Sequence, residues 1–214
     1  MKRATPKRDL PPISMFSLLL AAALLIGSLF LPWWSMKFYA PQYPEGLNII
    51  VYPTGLAGEI EIVNGLNHYI GMAPFSEASF PEFRVIPYLV IGLALLLVVA
   101  AFVRSRKLLG GVLVLFLVGG VVGLLDMARW LRQFGTNLDP TAPIDLEPFV
   151  PPILGKNTIA NFTTYSMFSW GALLLLAVIG LMAFALWNKQ ARTGQPRPRP
   201  AVAHPAPVKD GQAR

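Results

Sequence analysis

The 214-residue chain has no cysteine, which excludes disulfides, thiolate metal sites, iron–sulfur clusters and thioether-linked haem. Histidine is nearly absent as well, with only His68 and His204. Two-histidine metal sites would therefore have to recruit the far C-terminal tail. There is no glycine-rich phosphate loop, no G-x-S-x-G and no H-E-x-x-H, so a self-contained enzyme is not expected. Charged residues make up only 14% of the chain, against about 25% in soluble domains.

Apolar side chains are plentiful, at 54% of the chain. They fall into four blocks, Ile13 to Trp34, Val85 to Val103, Leu108 to Asp126 and Ser166 to Trp187, each of roughly the 20 residues that cross a bilayer. A multi-pass membrane protein is the reading. No block carries an ionisable residue at its centre, which argues against a pump or transporter, because ion paths need such groups facing the bundle interior.

The +7 net charge suggests nucleic acid, but its distribution says otherwise. Thirteen of the eighteen basic residues lie in segments 1–12, 104–107 and 188–214, whereas eight of the eleven acids lie in segments 35–84 and 127–165, with Asp126 a ninth at the outer end of the third block. By the positive-inside rule both termini are expected in the cytoplasm and the two acidic segments outside it, in a bacterial cytoplasmic membrane. The basic excess orients the chain and holds it to lipid head groups, and no nucleic acid is implied. The Pro- and Arg-rich stretch 188–214 reads as a disordered tail.

Of the two outer segments, 35–84 carries two β-type runs, Asn48 to Tyr52 and Gly58 to Val63, around the turn signal Pro53 to Ala57. Glu59 and Glu61 would then share one solvated strand face. Segment 127–165 is expected to prolong the third span as helix through Phe134, until Gly135 and Pro140 end it. Gly119 and Gly123, with Gly171 and Gly180, are small residues that let membrane helices approach closely. Asp126 and Arg129 read as an interfacial ion pair or a partner contact. The expected fold class is an all-α membrane protein, a four-transmembrane-helix bundle with an extracytoplasmic cap holding a small β-element.

Four methionines, Met36, Met72, Met127 and Met167, fall at or beyond the outer surface, and His68 stands four residues before Met72. Thioether and imidazole donors suit Cu(I). His68 and Met72 share an ion only if the chain turns between them, which Gly71 permits, since residues i and i+4 of an extended strand lie roughly 13 Å apart. The alternative is that the methionines fill gaps in apolar packing and His68 is a hydrogen-bonded loop residue.

The outer segments also carry Pro32-Trp-Trp-Ser-Met36, Ala40-Pro-Gln-Tyr-Pro-Glu-Gly-Leu47, Asn64-Gly-Leu-Asn-His-Tyr-Ile-Gly-Met72, Gly135-Thr-Asn-Leu-Asp-Pro140, Pro151-Pro-Ile-Leu-Gly-Lys156 and Asn161-Phe162. From about Trp33 to Asn161 the chain resembles a family of small four-span bacterial membrane proteins. They occur as accessories in clade II nitrous-oxide-reductase gene clusters, beside copper-maturation and export components. Thr136 stands where that pattern often has His, which removes one conceivable ligand. The resemblance implies a non-enzymatic accessory in the maturation of an extracytoplasmic cuproenzyme. Its cofactor would be copper held by Met36, His68 and Met72, and its partners membrane lipids and the cuproenzyme or copper-delivery components. A rival reading is a structural or electron-transfer-associated subunit that docks redox partners without metal, using Trp33, Trp34, Tyr39, Tyr43 and Tyr69 for contact.

Overall fold

A computed structural model describes residues 10–159 and 161–188. Residues 1–9 and 189–214, with most of the basic N-terminal segment and the C-terminal tail, lie outside the described residues. Four helices are long and apolar enough to cross a membrane: α1 (Pro12–Gly27, prolonged by a 3-10 turn to Phe30), α3 (Glu82–Val103), α4 (Arg106–Thr136) and α5 (Trp170–Trp187). The protein is a multi-pass membrane protein. At 1.5 Å per residue α5 spans roughly 27 Å, close to the hydrocarbon thickness, whereas α4 is long enough to continue well beyond it.

Helix α1 is the hub of the bundle. Ser14, Leu18, Ala21, Ala22 and Leu25 form a buried stripe at helical spacing that packs against α3 and α5. At the Arg104 end of the bundle, polar side chains take up backbone carbonyls, of which those at the end of α5 have no intrahelical partner. Arg104, the only non-glycine residue with positive φ among those described, donates from Nε to the Leu10 carbonyl at 2.8 Å. Arg106 donates to the Leu186 carbonyl and Ser14 to that of Ala185.

The expectation of an all-α protein is overturned. Between the membrane helices stand five antiparallel strands: β1 (Trp34–Ala40), β2 (Tyr43–Tyr52), β3 (Gly55–Gly58), β4 (Gly155–Ile159) and β5 (Phe162–Phe168). They form one sheet in the order β3-β2-β1-β5-β4, and the chain is mixed α/β. The reason is pairing at long range. Strand β1 alternates strictly, burying Trp34, Met36, Phe38 and Ala40 while Ser35, Lys37 and Tyr39 face the other way, as a half-buried strand requires. It lies between β2, from its own segment, and β5, from residues some 130 positions later, so the two segments build one body.

Three local expectations change with it. Trp34 and the stretch Ser166 to Phe168 belong to strands, not to spans. The run Gly58 to Val63 is mostly helix: α2 (Ile60–Tyr69) places Val63, Asn67 and then Ile70 on one buried face. The β-branched residues at 60, 62 and 63 favour strand only weakly, and burial against the sheet decides. Finally, the bundle is not an even four-helix packing. Between Leu117 and Leu125 every residue of α4 is exposed, and a Cβ added at Gly119 or Gly123 would meet nothing.

Candidate functional site

The inner face of the sheet carries Trp34, Met36, Phe38, Leu47 and Ile49, covered by α2, the sheet-side end of α4 and the segment 137–154. That cover is pinned by polar contacts. Asn64 is paired twice with Phe75, its amide donating to the Phe75 carbonyl at 2.9 Å and its oxygen accepting the Phe75 N–H at 2.7 Å. Gly71 adopts φ +74 and receives the Asp139 N–H on its carbonyl at 2.8 Å. Only glycine takes that conformation readily, and a side chain there would collide with the Asp139 backbone. Trp34 Nε1 donates to the Ile153 carbonyl at 2.7 Å.

Between sheet and cover lies a cavity of about 50 Å³, large enough for an ion or a few waters, since one water needs roughly 10–15 Å³. Met36, reaching in from β1 and only 6% exposed, lines it, and so does Met72, from the turn after α2. The structure therefore brings two of the three sequence-indicated residues to one cavity from different elements. His68 is elsewhere. It sits exposed on α2, edge-on to Tyr69 and close enough to Asp139 to act on its carboxyl. The turn at Gly71 exists, but it carries Met72 inward and leaves His68 outside.

Two further residues belong to the cavity. Asn67, 2% exposed, and Thr164, 8% exposed, both line it, and Asn67 Nδ2 and Thr164 Oγ1 have no hydrogen-bond partner. Buried polar atoms without partners are rare and costly, and these two have only the cavity to turn to. Neither was legible from sequence. Asn67 lies past the Gly58 to Val63 run in a stretch that reads as a turn, and becomes a core position only at the helical spacing from Val63. Thr164 lies on a strand whose buried positions, Thr164 and Ser166, are hydroxylic, which gives no apolar alternation to find.

Aromatic rings close the cavity. Phe38 stacks on Phe162 at 5.3 Å, and Phe75 meets Phe134 edge-on at 4.8 Å. Among the described residues no group of three or more His, Asp or Glu side chains is disposed to hold a metal, so donors at this cavity are thioether, amide and hydroxyl. The Asp139 carboxyl is held below its ordinary value, chiefly by the Thr141 hydroxyl and also by the Thr141 N–H, with a smaller effect from His68. It is exposed and is not part of the cavity lining. No family model and no curated protein matches the chain.

Proposed function

We propose that the chain is a non-enzymatic accessory of a bacterial cytoplasmic membrane that holds Cu(I) in transit to an extracytoplasmic copper enzyme, with nitrous oxide reductase the first candidate. In this reading both termini are cytoplasmic and the sheet stands on the outer side, as the distribution along the sequence of basic residues in segments 1–12, 104–107 and 188–214 and of acids in segments 35–84 and 127–165 favours. The observation that carries the copper reading is the shared cavity of Met36 and Met72. Cu(I) accepts few, soft ligands, and a thioether binds without losing a proton. The rest of the lining is mostly carbon, with the Asn67 amide and the Thr164 hydroxyl as its unpartnered polar groups. The residues fit a two-thioether set, with Met36 and Met72 holding the ion and Phe38 and Phe162 shielding it. His68 stays outside that set.

The test is purification in detergent, loading with Cu(I) under anaerobic reducing conditions, washing against a chromophoric Cu(I) chelator, and metal analysis. Retained copper is expected in the wild type and in His68→Ala, and its loss in Met36→Leu/Met72→Leu, whose side chains keep the apolar volume. Equal retention by the wild type and the double leucine variant sinks the copper reading. A wild type that retains none favours the second reading, a metal-free docking subunit. One observation supports that alternative: the sheet binds two distant segments into a single platform and, among the described residues, leaves one of its faces uncovered.

A further inference from the structure

The sheet's second face has no described element over it. Alternation on β1 sends Lys37 and Tyr39 there, and the register carries the same face across to Tyr165 on β5 and Lys156 on β4. Lys37 is opposite Tyr165, and Tyr165 is opposite Lys156. Two lysines thus flank one tyrosine in a single row across three neighbouring strands, with their Cα atoms roughly 10 Å apart. The next row holds Tyr39, Thr163 and Thr158.

These side chains are held in place. The stem of Lys37 lies over Gly46, where a Cβ would come within 2.7 Å of its Cε, and its ammonium is 5.4 Å from the Tyr39 ring centre. The Lys156 ammonium is 5.7 Å from the Tyr165 ring, and the two tyrosines meet edge-on at 5.8 Å. Cations over aromatic faces are attracted by the ring quadrupole without being neutralised. Among the described residues every salt bridge belongs to Arg129, so neither lysine is paired with a carboxylate. This is unusual for its surroundings, because segments 35–84 and 127–165 contain eight acids and five bases. Glu59, at the far end of the Lys37 row, is engaged by the Asn48 N–H at 2.6 Å.

Position decides between a lipid head group and a protein as the anion. Strands β1 and β5 meet the membrane helices at Trp34 and Phe168, and Lys37 and Tyr165 lie three residues further along, roughly 10 Å up the sheet. The head-group layer extends only about 5–7 Å beyond the hydrocarbon. A lysine serving lipid snorkels toward that layer, whereas the Lys37 side chain leans toward Tyr39, away from it. The lower row adds an apolar margin, with Met167 54% exposed beside Ser35 and Ile50.

We propose that this face docks an acidic segment of a partner protein standing clear of the bilayer. Two carboxylates roughly 7–10 Å apart meet Lys37 and Lys156, and an apolar side chain rests on the Tyr39–Tyr165 pair. The inference is independent of the copper reading. Its test uses the full chain in phosphatidylcholine nanodiscs, titrated with fluorescent hexaglutamate and, as a neutral control, hexaglutamine. Hexaglutamate is expected to bind in a salt-dependent manner, about five- to tenfold more weakly to Lys37→Gln/Lys156→Gln and unchanged to Arg132→Gln, since exposed pairs contribute modestly. Lys37→Glu/Lys156→Glu is expected to reverse the preference toward hexalysine. Unchanged hexaglutamate binding by the double glutamine variant overturns the proposal. So does an effect of that variant confined to nanodiscs containing phosphatidylglycerol, which would assign the face to lipid.

Discussion

Helices α1 and α4 are both apolar and both carry small residues, yet one is the centre of the bundle and the other leaves it. On α1 the small residues Ser14, Ala21 and Ala22 sit on the face that touches α3 and α5. On α4, Gly119, Gly120 and Gly123 face open space. The contrast teaches that small residues permit close approach without commanding it, since lipid is as good a solvent for apolar surface as a neighbouring helix. Polar anchorage at the ends does not separate the two helices, since Arg106 and Arg129 tie α4 to α5 and α3. What sets α1 apart is the strand pairing beside its junction with α5. Arg104 fastens the start of α1, Ser14 and Arg106 fasten the end of α5, and β1 and β5 pair directly above the junctions with α1 and α5. Helix α4 is tied at its two ends, at Leu109 to Phe116 and again at Phe134 and Gly135, with nothing buried between.

The largest break in this comparison is expected from enlarging a small residue on each helix. Ala21→Leu overpacks the α1 stripe and is expected to cost about 1–3 kcal/mol, read as a lower midpoint in detergent unfolding. Gly119→Leu is expected to stay within about 0.5 kcal/mol. Comparable losses in both would mean that α4 is packed in the bilayer. A second comparison stays within α4. A Cβ at Gly135 would run into the Phe149 carbonyl, which accepts no room for it, whereas one at Gly119 meets nothing. Gly135→Ala is therefore expected to cost about 1 kcal/mol and to expose segment 137–154 to protease, with Gly119→Ala neutral or slightly favourable through helix propensity.

The membrane helices are legible because hydropathy needs no knowledge of partners, and a block of 18 or more apolar residues has few other fates. The sheet is legible only in part. Asn48 to Tyr52 is a bounded run of β-branched and aromatic residues, but the alternation of β1 directly follows an apolar block, so Trp34 passes for the end of a span. Strand β5 buries hydroxyls and exposes Tyr165 and Met167, a pattern that makes sense only beside β1. The candidate site is half legible for the same reason. Methionine content points to Met36 and Met72, but which of His68 and Asn67 faces inward depends on whether residues 60–69 have a period of 2 or 3.6.

The smallest expected effect concerns the rim of the cover. Because the Asp139 carboxyl is held low in the folded protein, its ionised form adds stability above the ordinary carboxylate value of 3.8, and this is lost as pH falls through the lowered value. The difference in stability between wild type and Asp139→Asn should be small and flat at neutral pH and should vanish on acidification below 3.8. A difference that instead collapses near neutral pH would overturn the assignment to the Asp139 carboxyl.

The order β3-β2-β1-β5-β4 also sets a timetable for biogenesis. When β1, β2 and β3 leave the ribosome, one edge of β1 has no neighbour, and its partner β5 follows about 130 residues later, an interval of roughly 6–25 s at ordinary synthesis rates. Throughout that time two further apolar helices must enter the bilayer while a long edge strand stands open, a state prone to wrong pairing. Closure arrives with β5, immediately before α5 emerges. The last membrane helix and the last strands are thus one delivery, and a chain stopped before residue 162 would retain an unpaired edge beside an incompletely packed α1.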